Sequence, residues 1–157
     1  MRVLALLALL VPCVACDQAT KAMAVADLKG SAGHVFFGGL VRLVYAENPG
    51  AFLGLGLPDG VRVALFSGLV AVALLAEAVF LTVKKLPRWA FVGGALMLAG
   101  GVGNLVDRVA RPGHRVVDFA QVGVGPVRTG VFNVADVHIM AGAALFMAFT
   151  WRRRTDV

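Results

Sequence analysis

The sequence predicts an all-α membrane protein of four transmembrane helices with a small extramembrane sheet, and three observations predict it. Of 157 residues, 59% are hydrophobic and only 15% are charged, whereas a soluble domain carries about 25% charged residues. The apolar residues gather into four runs of the length that a ~30 Å hydrocarbon core demands. Two intervening stretches contain arginine, glycine and proline and are too polar to span. Residues 1–157 therefore read as one integral membrane domain.

The first span covers residues 3–26. Val3 to Cys16 carries no charge, and Asp17-Gln18-Ala19-Thr20-Lys21 then interrupts the apolar pattern. Arg2, a short apolar core and Val14-Ala15-Cys16 also resemble a lipoprotein signal peptide, in which Cys16 would be acylated. A cysteine at position 13, where such a signal usually has leucine, and the three further spans favour a retained helix. Residues 27–60 are too polar and glycine-rich to span. Their centre, Leu40 to Tyr45, has β character with partial alternation, and Asn48-Pro49-Gly50 reads as a turn. A small sheet lying on the membrane surface fits this stretch. The second span, residues 61–83, is followed by Lys84, Lys85 and Arg88 around Pro87. In the third, residues 89–107, Gly93, Gly94, Ala95, Ala99, Gly100, Gly101 and Gly103 permit close helix packing in lipid. Residues 108–130 form a second extramembrane stretch. The last span, residues 131–150, is closed by Trp151-Arg152-Arg153-Arg154.

Four spans place Arg2, the Lys84 to Arg88 loop and the terminal arginines on one side, which the positive-inside rule makes cytoplasmic, with both termini there. Arg42, Arg108, Arg111, Arg115 and Arg128 then lie outside, against the rule, and need lipid headgroups or nearby acids to account for them. The net charge of +6 forms no basic face interleaved with aromatics, so a nucleic-acid partner is not expected. Cys13 and Cys16 lie inside an apolar run with no histidine near enough to complete a zinc site, and read as small apolar residues.

Topology gives each polar residue a depth. At 1.5 Å per residue, Asp17 lies roughly 21 Å from the inner end of the first span. Lys21 is nearer the outer surface. Asn104 and Asp107 close the third span on that side, Asn133 and Asp136 open the fourth, and the external loop brings Asp118 beside them. Asn104 and Asp107, like Asn133 and Asp136, stand three apart and share a helix face. Isolated charges at this depth cost about 2.5–3.5 kcal/mol each, so such groups are expected to meet. Asp17 and Lys21, four apart on one helix, make a structural ion pair or support a site. Glu77, in the cytoplasmic half of the second span, reads as a snorkelling or protonated side chain without a role in the chemistry.

Two carboxylates brought together cannot both ionise cheaply and share one proton. The ionised member can deprotonate water while the protonated one polarises a carbonyl, giving hydrolysis without a covalent intermediate. Asp118 and Asp136 are the candidates. Ser31 and Ser67 have no triad motif around them, and His34, His114 and His138 are dispersed with no His-Glu-x-x-His. Asp136-Val137-His138 is a poor metal site because adjacent helix positions point apart. No metal or other cofactor is expected.

Five segments then resemble one family: Asp17-Gln18-Ala19-Thr20-Lys21, Asn48-Pro49-Gly50-Ala51-Phe52, Gly100 to Arg108, Val116-Val117-Asp118-Phe119 and Phe132-Asn133-Val134-Ala135-Asp136. In this order among four spans they resemble the type II, or lipoprotein, signal peptidases across nearly the whole chain. The resemblance implies four transmembrane helices with a small periplasmic β-cradle and a periplasmic loop or short helix. It implies an aspartic endopeptidase that cuts a prolipoprotein on the amino side of its diacylglyceryl-modified cysteine. Asp118 and Asp136 match the catalytic pair. Asp17, Lys21, Asn48, Gly50, Asn104, Asp107, Arg108, Asn133 and Ala135 match positions that support the site or contact substrate. The partners implied are prolipoproteins and membrane lipids, for a monomer in the bacterial cytoplasmic membrane with its site near the periplasmic face. The apolar part before Asp17 is short and the connection from Arg108 to Val116 slightly long for the family. A small proton-coupled transporter is the rival class, with Asp17, Lys21, Asp107 and Asp136 as a relay. The polar residues gather at the outer end and, Glu77 apart, stop there.

Overall fold

The computed structural model describes residues 1–50 and 59–155. Ala51 and Phe52 of the expected Asn48 to Phe52 motif lie outside the described residues. Four long helices, α1 (Arg2–Leu28), α2 (Asp59–Val83), α3 (Arg88–Ala110) and α4 (Val134–Thr155), account for most of the chain. Helices α1 and α3, and α2 from Val63 to Val83, are long and apolar enough to cross a membrane. The apolar part of α4, Val134–Phe149, is shorter, and α4 packs along α3.

Helix α1 is continuous through Pro12; neighbouring helices let membrane helices tolerate such a break in the hydrogen-bond ladder. Its buried residues are Leu6, Asp17, Lys21, Ala24 and Leu28, so the Asp17 to Lys21 segment is built into the protein's interior. The Arg2 guanidinium donates to the carbonyl of Lys84, which ties the start of α1 to the end of α2.

Helix α3 is the central element, and its glycines show why. A Cβ at Gly93 would stand 2.7 Å from the Gly142 carbonyl of α4, and one at Gly100 would collide with the Ala135 carbonyl. Gly94 and Gly101, one residue on, face Leu81 and Leu74 of α2 instead, and Gly103 faces Asp17 of α1. Three sides of one helix are thereby pared down to accept three partners, as close packing in lipid requires. Leu6, Leu81, Ala95 and Leu98 form the apolar core where α1, α2 and α3 meet.

The extramembrane part is a four-stranded antiparallel sheet in the order β1 (His34–Phe36), β2 (Val41–Asn48), β3 (Val116–Val124), β4 (Val127–Arg128). It covers the end of the bundle where α1 and α3 finish and α4 begins. Ala24, Leu28 and Val117 bury the contact between α1 and the sheet. The expected strand in residues 40–45 is present as part of β2. Three expectations change. Asp118 stands on strand β3 rather than on a loop: Val116, Val117, Phe119, Val122 and Val124 supply apolar strand residues between Pro112-Gly113 and Gly125-Pro126. Arg108 lies in the last turn of α3, which runs on to Ala110 because Asp107 and Arg111 pair across that turn. Helix α4 begins at Val134 rather than at 131, because Phe132 bridges to Ala120 of β3. The short helices outside the spans are single 3-10 turns, Phe37–Gly39 and Pro112–His114.

Candidate active site

The site is assembled around Lys21. Its ammonium has three protons and three acceptors: Asp17 Oδ2 at 2.9 Å, Asp107 Oδ2 at 3.0 Å and Asn104 Oδ1 at 2.9 Å. Arg111 adds a second cation, with Nε 2.9 Å from Asp107 Oδ1. Two acids and two cations balance, which is how a membrane protein keeps charge buried without forfeiting its solvation. Asp17, Lys21 and Asp107 are fully buried. Asp17 and Lys21 thus do form the ion pair that their spacing allows, within a larger network.

Each of these two aspartates also grips backbone. Asp17 Oδ1 accepts the N–H of Ala135 at 2.9 Å, and Asp107 Oδ2 accepts the N–H of Val117 at 3.1 Å. Ala135 directly precedes Asp136, and Val117 directly precedes Asp118. Ala135 is also fully buried, its Cβ being 3.3 Å from where a side chain on Gly103 would begin.

Among the described residues, Asp118 and Asp136 receive hydrogen bonds only from neutral amide donors. Asn133 Nδ2 lies 2.6 Å from Asp118 Oδ1, and Asn48 Nδ2 lies 3.1 Å from Asp118 Oδ2. Asn104 Nδ2 donates to Asp136 Oδ1 at 2.9 Å, and the backbone N–H of Asn133 donates to Asp136 Oδ2 at 3.1 Å. The N–H of Asp136 returns to Asn133 Oδ1 at 2.9 Å, a reciprocal cap on the start of α4. Asn133 therefore precedes the helix and bonds to both acids. Asp118 is buried at 3% exposure and Asp136 is half-buried. Burial raises the Asp118 carboxyl above the usual range. The Asn48 and Asn133 amides oppose that rise and the charge of Asp136 adds to it.

Asn48 links the acids to the neighbouring cleft. Its Oδ1 accepts the N–H of Gly50 at 2.9 Å, and Gly50 has a φ of +75°, a conformation that glycine adopts freely. A Cβ on Gly50 would stand 2.7 Å from Arg108 Nη1. Pro49, Gly50, Arg108 and His114 border this cleft on one side, and Val63, Phe66 and Val70 of α2 line its apolar wall. The candidate catalytic and supporting residues of the sequence are thereby placed in one region. Two others join them. Gln18 Nε2 reaches Asp17 Oδ2, the Gly103 carbonyl and Asp107 Oδ1 at 3.0–3.3 Å, and Arg111 closes the charge balance. The Asp107 to Arg111 spacing of four was the sequence signal for the second. Glu77 is half-buried on α2 and has no bond to the network among the described residues.

Comparison with known proteins gives one answer. The sequence profile described as signal peptidase (SPase) II matches residues 9–152. The chain is 36% identical over 155 residues to a lipoprotein signal peptidase of Leifsonia xyli subsp. xyli, covering 95% of this chain and 68% of that protein. It is 37% identical over 142 residues to a lipoprotein signal peptidase of Rhodococcus jostii, covering 87% of this chain and 67% of the relative. The fold is similar to a bacterial membrane enzyme solved by the in meso method at 1.9 Å resolution. That match has a TM-score of 0.79 and 24% identity over 92% of this chain and 90% of the other.

Proposed function

The chain belongs to the signal peptidase II family, and we propose that it is an aspartic endopeptidase cutting diacylglyceryl-modified prolipoproteins on the amino side of the lipidated cysteine. Membership already makes it a multi-pass membrane peptidase of lipoprotein processing. The observation that supports the finer reading is the division among four buried or half-buried acids. Asp17 and Asp107 are neutralised by Lys21 and Arg111, whereas among the described residues Asp118 and Asp136 accept hydrogen bonds from amides alone.

In this reading the pair holds one proton, and burial favours the protonated form of Asp118. The ionised carboxylate takes a proton from water as its oxygen attacks the scissile carbonyl, which the protonated acid polarises. When the C–N bond breaks, a proton passes to the departing cysteine amine, and the pair is left with one proton again. Asn104, Asn133 and Asn48 hold the two carboxyl groups in place. Asp17 and Asp107, both held by Lys21, fix the backbone immediately before each of them, and Ala135 leaves room for α3 at closest approach. Arg108 and Gly50 border the apolar cleft, where a guanidinium fits a substrate carbonyl or ester and α2 fits acyl chains. The basic residues Arg2, Lys84, Lys85 and Arg88 sit at the opposite end of the bundle. The positive-inside rule then puts both termini in the cytoplasm and the site at the periplasmic face of the cytoplasmic membrane, for a protein acting as a monomer.

The test is cleavage by the purified protein of one prolipoprotein with and without its diacylglyceryl group, read by mass spectrometry of both products. The expected products are an intact signal peptide and a chain beginning at the lipidated cysteine, unaffected by chelators. Equal cleavage of the unlipidated precursor, or a cut elsewhere, would overturn the reading.

A further inference from the structure

The end of the sheet farthest from the acids is apolar, basic and unusually exposed. Phe36 and Phe37 are 44% and 81% exposed, and Val124 and Val127 are 74% and 78% exposed. The turn at Phe37–Gly39 and the β3–β4 tip lie side by side: the N–H of Gly123 donates to the Leu40 carbonyl at 2.9 Å and Arg128 Nη2 to the Gly39 carbonyl at 2.7 Å. Phe37 also has a φ of +52°, a left-handed conformation that costs a bulky residue. A strained aromatic left bare gains nothing in water; it gains where its surroundings are hydrocarbon.

The charges on this end agree. Arg42 pairs with Gln121, and Arg128 with Gly123 two residues along β3, so both arginines stand on one face of the sheet, while Phe36, Val124 and Val127 stand on the other, and only the tip presents both. Both arginines are half-buried: among the described residues the Arg42 side chain has no hydrogen bond or ion pair and its Nε is buried, and the Arg128 side chain bonds only to the Gly39 carbonyl, its Nη1 being buried without a partner. No acidic residue occurs in 28–46 or 119–135. These are two of the outer arginines that run against the positive-inside rule, whereas Arg111 and Arg115 are paired with Asp107 and Glu47. The surface is also continuous with the membrane-facing side of the bundle. Thr129 to Phe132, leaving β4, share an apolar groove with Val137 and Met140 of α4, and Met140 is 71% exposed.

We propose that this end of the sheet is a lipid anchor, in which Phe36, Phe37, Val124 and Val127 enter the membrane interface while Arg42 and Arg128 face the phosphates of anionic lipid headgroups. The anchor holds the strand carrying Asp118 against the leaflet, and it stands whether or not the two acids do the chemistry. A Phe37→Trp variant in proteoliposomes tests it, with the native Trp89 and Trp151 emission subtracted using the parent protein. The emission of the introduced indole is expected to be blue-shifted, quenched by lipids brominated near the headgroup, and more strongly quenched with phosphatidylglycerol than with phosphatidylcholine alone. Replacing Arg42 and Arg128 together by glutamine should abolish that lipid dependence. Val124→Trp gives a second reporter should the first variant fail to fold. Quenching by aqueous iodide instead of brominated lipid would overturn the proposal, and so would shielding from both, which marks a protein partner. Quenching indifferent to phosphatidylglycerol would remove the role of the arginines.

Discussion

Asp17 on the first helix accepts a hydrogen bond at 2.9 Å from the backbone N–H of Ala135 on the fourth, 118 residues away. The bond fixes the residue immediately before Asp136. Asp107 does the same for Val117, immediately before Asp118. The two acids that form no ion pair among the described residues are thus held from behind by the two that do.

Asp17→Ala removes that grip and leaves the Lys21 ammonium with one partner fewer. A displacement of about 1 Å at a reacting group can cost about 100-fold in rate, so turnover at saturating precursor should fall by roughly that factor. A rise in KM with unchanged turnover would show instead that Asp17 serves substrate binding.

Lys21→Met strands Asp17 and Asp107 in the interior, with Arg111 reaching only the second. Removing one partner of a buried ion pair costs about 3–5 kcal/mol. Thermal denaturation in detergent should show a correspondingly large loss of stability, larger than for Lys29→Met, whose contact with Glu47 is exposed.

Gly100→Ala and Gly101→Ala separate backbone from side-chain contact. A methyl group at position 100 meets the Ala135 carbonyl, whereas one at 101 meets the end of the Leu74 side chain, which can move. Overpacking costs about 1–3 kcal/mol, and at position 100 the strain falls on the start of α4 beside Asp136. Cleavage should be largely lost in the first variant and largely kept in the second.

The pH profile has a defined sign. Activity needs one proton on the pair, so the acid limb marks protonation of both members and the alkaline limb the loss of the last proton. Burial places the Asp118 carboxyl above the ordinary value of about 3.9. The Asn48 amide favours its ionised form, so Asn48→Ala should move the alkaline limb of kcat/KM to higher pH. The same raised carboxyl contributes stability below about pH 4 that is lost as pH rises through its folded value. Melting temperature as a function of pH checks that second sign.

The four long helices were legible because length and hydropathy decide them, and so was the meeting of Asp17, Lys21, Asn104, Asp107 and Asp136, because each sits at a helix position whose depth can be counted. Asp118 was legible as a partner but not as a strand residue. Its pairing with Ala46 and the bridge from Ala120 to Phe132 are long-range, and no local pattern announces which segments will meet. Arg108 reads as lying outside the helix because glycine and proline follow at 112–113, while the Asp107 to Arg111 pair carries α3 to Ala110. The role of Gln18 is not legible within its motif, since nothing local distinguishes an amide bridging two acids from one that faces lipid.

The most direct measurement compares cleavage of a diacylglyceryl prolipoprotein by the native chain with cleavage by Asp118→Asn and Asp136→Asn, each shown by its melting curve to be folded. General acid–base groups contribute about 10²–10⁴-fold, and each variant should lose at least the lower figure. Cleavage near the native rate in either one would contradict the account, because one acid alone would then suffice.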